Sequence, residues 1–105
     1  MENYGFLRVA AGVPTVRVAD VAYNVGEILE LAEKAENEEV SLIAFPELSV
    51  TGYTCGDLFG QEILIRKAEE GIKEIKAFSR GRKVTIVVGV PVRVRGRLYN
   101  CAAVI

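Results

Sequence analysis

The sequence predicts an α/β fold in which strands and helices stack in layers. Two observations carry this. Short apolar runs of strand length alternate with longer segments of helical period, in the order β-α-β-loop-α-β-β. The inner strand runs also lack the polar alternation of a water-facing sheet, so they are expected to be covered on both faces. With 50% apolar and 26% charged residues, the 105-residue chain can build a packed core, and it reads as one small domain or part of a larger one.

Residues 6–13, "FLRVAAGV", read as the first strand, closed by Pro14. In the next segment Asn24, followed three positions later by Glu27, has the form of a capping box at a helix start. From there Val25, Ile28, Leu29, Ala32 and Ala35 recur at helical spacing, with charged residues opposite. "VSLIAF" supplies a second strand, and a long irregular stretch follows. Leu64, Ala68, Ile72, Ile75 and Phe78 then form a second helical stripe, ended by basic residues and Gly81. "VTIVVGVPV" is a third, buried strand, and "RVRGRLYNCAAVI" turns near Arg95 and Gly96 into a fourth. That strand is still apolar at Ile105, so the chain is expected to be a fragment of a longer protein.

Composition removes several function classes. Thirteen Lys and Arg against fourteen Asp and Glu leave a net charge of −1, so neither nucleic acid nor an anionic membrane surface is expected as a partner. The Met1-Glu2-Asn3-Tyr4 start lacks a basic region followed by an apolar stretch, which makes the cytoplasm the expected location. The absence of histidine removes Ser-His and Cys-His catalysis and most transition-metal sites. Cys55 and Cys101 lie far apart without metal-site spacing. The positions of Gly5, Gly12, Gly26 and Gly89 do not form a phosphate loop.

Attention therefore falls on "FPELSVTGYTCGDLF", residues 45–59. Glu47 follows an apolar strand and a proline, the place where layered α/β proteins carry functional groups. Spacing alone leaves two roles open for it: a site carboxylate, or an acceptor that holds the turn through loop amides. Tyr53 would set a phenol beside the acid, although turn chemistry explains Gly52 equally well. Cys55 has no histidine to activate it and reads as a small packing residue, as does Cys101. Arg93, Arg95 and Arg97 read as a solvated strand face.

Beyond these readings, "FPELSVTGY" resembles the first catalytic motif of the nitrilase (carbon-nitrogen hydrolase) superfamily. "RVAAGVPTVRVADVAYN", "TGYTCGDLF" and "VGVPVRVRGRLYNCAAVI" are similar, in order, to one branch of it, the glutaminase domain of glutamine-dependent NAD synthetases. The likeness runs over essentially all 105 residues. It implies that residues 1–105 are the N-terminal portion of a four-layer α-β-β-α sandwich, ending before the catalytic lysine and cysteine. Glu47 would be the general base and acid of a Glu-Lys-Cys triad, with Phe45, Pro46 and Tyr53 as pocket walls. The strand would bring Glu47 to the pocket floor, and the loop through Phe59 would wall the pocket.

The same resemblance implies hydrolysis of glutamine, with the ammonia passed to a separate synthetase domain that uses ATP and magnesium to amidate nicotinic acid adenine dinucleotide. A carboxyl that both takes and returns a proton works best with a raised pKa, which burial against Phe45 would provide. No cofactor is expected within this segment, and a homo-oligomer is. The alternatives are a fragment of another nitrilase-type amidohydrolase, or an association fragment without catalytic function.

Overall fold

The computed structural model describes residues 5–105, so the reading of the first four residues lies outside it. Strand β1 (Val9–Ala11) leads to helix α1 (Val21–Asn37) and strand β2 (Leu42–Ala44). A long loop ends in a 3-10 turn at Gly56–Gly60 and enters helix α2 (Glu62–Ser79). Strands β3 (Thr85–Val94) and β4 (Arg97–Val104) complete a sheet of order β1-β2-β3-β4. The first three strands are parallel and β4 is antiparallel to β3. The α/β expectation and its element order therefore hold, with one helix layer on one sheet.

The helical stripe read from sequence is the one that packs. Val25, Ile28, Ala32 and Ala35 of α1 are buried, with Leu29 at the margin, and they join Leu64, Ala68 and Ile75 of α2 in one core cluster. Val84, Ile86, Val88 and Val90 alternate along one face at the β3 end of the sheet and close the same cluster. The hairpin turns where expected. Arg95 and Gly96 have φ of 51° and 77°, the left-handed pair that a two-residue turn of matching twist requires, and glycine adopts it without strain. At the opposite end, the Lys83 backbone N–H and the Arg82 guanidinium both reach the Glu36 carboxylate. The Lys83 bond first, and Arg82 after it, hold that carboxyl below the usual carboxylate range. This pins the end of α1 to the start of β3.

Three expectations need correction. The first strand covers Val9–Ala11 rather than residues 6–13, and Phe6 and Leu7 are exposed. Its ladder can run no further than its neighbour, and β2 itself has three residues. Covering on both faces is only partial at β2, where Ile43 is buried and Leu42 and Ala44 are half-buried. Asn24 is not a cap. Asp20 caps α1, its carboxylate accepting from the Tyr23 N–H at 3.1 Å. Asn24 instead sits fully buried inside the helix. Its amide donates to the carbonyls of Arg17 (2.8 Å) and Val50 (3.0 Å), and its Oδ1 accepts from the Arg17 N–H at 2.8 Å. One side chain thus ties α1 to the segment before it and to the loop after β2.

Candidate active site

The irregular stretch after β2 is a packed structure rather than a slack connection. Phe45 keeps the sheet going by donating its N–H to the Val87 carbonyl at 2.8 Å. Pro46 then turns the chain, and Leu48 takes a positive φ of 53°. Ser49 N–H closes the turn on the Pro46 carbonyl at 3.1 Å. The loop next returns to β3: Val50 N–H donates to the Gly89 carbonyl at 3.1 Å, and Gly89 N–H donates to Ser49 Oγ at 3.3 Å. Residues 49 and 50 therefore satisfy the β3 backbone where β2 has ended.

Gly89 makes this seat possible. A Cβ built there would lie 2.1 Å from the Leu48 nitrogen and 2.8 Å from the Pro46 carbonyl oxygen. No side chain fits between β3 and the turn that carries Glu47. In the sequence, Gly89 is one of four glycines that form no phosphate loop. A glycine inside an otherwise apolar strand was the available sign of a close backbone approach.

Glu47 itself projects from the turn and is exposed. Its Oε1 accepts a hydrogen bond from Asn100 Nδ2, which arrives from β4. Glu47, Phe45 and Pro46 line a cleft of about 290 Å³ together with Val87, Val88, Gly89, Asn100, Cys101 and Ala102. Phe45 is buried in the core cluster, whereas Glu47, two residues on, is open to solvent. The burial of this carboxyl suggested by its apolar neighbour is thus absent from the described residues. Tyr53 is 67% exposed and lines neither this cleft nor the adjoining one. Leu48 and Phe59 border that adjoining cleft, of about 180 Å³, with Pro91, Leu98, Tyr99 and Asn100. The loop accordingly walls the neighbour of the Glu47 cleft, while β4 walls the cleft itself. Asn100 borders both clefts and was missed in the sequence, because its partner lies 53 positions away.

Cys55 behaves as a packing residue. It is buried, and its thiol donates to the Thr51 carbonyl at 3.2 Å and to Gly52 at 3.4 Å. Cys101 is half-buried and unpaired. Arg93, Arg95 and Arg97 are all exposed, split between the β3 end, the turn and β4. Among the described residues, no group of three or more His, Cys, Asp or Glu could hold a metal ion. No described helix is long and apolar enough to cross a membrane.

The chain belongs to the carbon-nitrogen hydrolase family, whose model it matches over residues 8–105. Among curated relatives, it is 34% identical over 103 residues to the glutamine-dependent NAD(+) synthetase of Mycobacterium leprae, covering 98% of this chain and 15% of that protein. The crystal structure of a glutamine-dependent NAD(+) synthetase from Cytophaga hutchinsonii superposes with a TM-score of 0.88 at 33% identity, over 94% of this chain and 17% of that one. The glutamine-dependent NAD+ synthetase of Acinetobacter baumannii, solved with ADP, gives 0.79 at 28% identity over 87% and 17%. The chain spans about 15% of the length of the first of these relatives.

Proposed function

We propose that residues 1–105 form the N-terminal portion of a glutaminase domain that supplies ammonia for NAD synthesis. The observation that carries the reading is the exposed Glu47 carboxylate, held in a cleft at the end of β2 in a chain similar throughout to NAD synthetases. Glu47 takes the proton of a cysteine thiol supplied from outside these residues, and the thiolate attacks the side-chain amide carbon of glutamine. A lysine, also from outside, and a backbone N–H stabilise the oxyanion. Glu47 returns its proton to the departing ammonia, then takes one from the water that hydrolyses the thioester. The likeness to a synthetase solved with ADP supports an ATP-dependent step elsewhere in the whole protein, and magnesium is the metal proposed for it. The proposed setting is the cytoplasm, whose reducing conditions suit two unpaired cysteines.

Alone, the 105-residue chain is expected to release no ammonia from glutamine, because no residue in it matches the nucleophile or the lysine of the triad. Loss of members of a catalytic unit is close to total in effect. Ammonia formation above buffer by the pure chain would contradict the proposed roles.

Self-association is also expected. The sheet face that carries Asn100 also carries Leu98 and Val104, which are 42% and 71% exposed, and β1 and β4 are open edges. Unpaired edges and apolar faces recruit other chains. Light scattering across a concentration series checks this, and a constant monomer mass would contradict it.

A further inference from the structure

Glu47 has two carboxylate oxygens in unequal surroundings. Oε1 accepts from Asn100 Nδ2, while Oε2 has no hydrogen-bond partner among the described residues. Asn100 pairs with Pro91 in the β3-β4 ladder, one position along the same face from Ala102, which pairs with Gly89. The glycine that seats the Glu47 turn and the amide that grips its carboxylate therefore stand side by side on one sheet face. Both partners of this hydrogen bond are exposed, so the bond adds little to the stability of the fold. What it does fix is the direction of the carboxylate. A carboxylate on a flexible two-carbon stem samples several rotamers, and one neutral donor on Oε1 narrows that choice while leaving Oε2 without a partner among the described residues.

We propose that Asn100 is a positioning residue for Glu47. It orients the carboxylate so that Oε2 meets the proton to be transferred, and as a neutral amide it does so without neutralising the charge. This rests on the reading of Glu47 as the base. Proton transfer requires heavy atoms within hydrogen-bond reach, and a misplacement of 1 Å can cost about 10²-fold.

The test uses the full-length protein with Asn100→Ala and Asn100→Asp, and Glu47→Gln alongside. Steady-state kinetics with glutamine are compared with ammonia-driven synthesis, which does not pass through this cleft and reports folding. Asn100→Ala is expected to lower the glutamine kcat about 10²-fold with KM nearly unchanged. Asn100→Asp keeps the shape but loses the donor and sets a like charge beside Glu47, so its loss should be at least as large. A packing role predicts the reverse order, with the isosteric Asp milder than Ala. Unchanged kcat in the Ala variant, a milder Asp variant, or equal loss of the ammonia-driven reaction would overturn the proposal. If Glu47→Gln is impaired while both Asn100 variants are normal, only this inference fails. If Glu47→Gln is also normal, the reading of the base fails with it.

Discussion

Gly89→Ala is expected to unseat the Glu47 turn and lower the melting temperature of the chain. The added methyl would meet backbone atoms, at 2.1 Å from the Leu48 nitrogen and 2.8 Å from the Glu47 carbonyl carbon, and backbone cannot swing aside as a side-chain tip can. Overpacking of this kind costs about 1–3 kcal/mol, and this contact places the variant at the upper end or beyond. Each kcal/mol corresponds to a fall of about 4–8 °C in a domain of this size. The same chemical change at Gly26 should go the other way. Gly26 is exposed on α1, and nothing lies within 4 Å of its added Cβ. Alanine there gains helix propensity of up to about 1 kcal/mol. Thermal unfolding of the two variants beside the parent checks the contrast. A Gly89→Ala protein as stable as the parent would contradict the close approach of turn and strand.

This pair of glycines also shows what a sequence displays and what it hides. Helix α1 was legible because Val25, Ile28, Ala32 and Ala35 carry a local period that any packed neighbour would exploit. The hairpin was legible because its turn is decided by two adjacent residues, Arg95 and Gly96. Asn24 was misread for the opposite reason. Its spacing to Glu27 imitates a cap, but its partners are residues 17 and 50, and only the folded chain brings them to it. The length of β1 was misjudged because a strand ends where its neighbour ends, and β2 is short.

The site divides along the same line. Glu47 could be singled out because a strand, a proline and an acid stand in sequence order. Phe45 and Pro46 followed it into the cleft. Tyr53, near in sequence, is exposed and lines neither of the two clefts. Asn100 and Gly89, which grip and seat the acid, lie 53 and 42 positions from it, and no local pattern marks their pairing with it. Proximity in sequence found the acid but not its supports.

Glu47→Gln in the full-length protein has the largest expected effect. The amide keeps the size of the carboxylate but neither accepts nor returns a proton, so under the proposed role of Glu47 thiol activation, ammonia departure and thioester hydrolysis should all suffer. Loss of general acid-base catalysis costs about 10²–10⁴-fold, and a group used in both half-reactions should reach the upper end. If the proposed function holds, ammonia-driven NAD formation bypasses the glutaminase site and should persist. A turn-holding role for Glu47 predicts something different, namely a lower melting temperature and comparable loss of both activities. The decisive measurement is the ratio of glutamine-driven to ammonia-driven NAD formation in Glu47→Gln and parent. A general base at position 47 requires that ratio to collapse in the variant, and an unchanged ratio would contradict it.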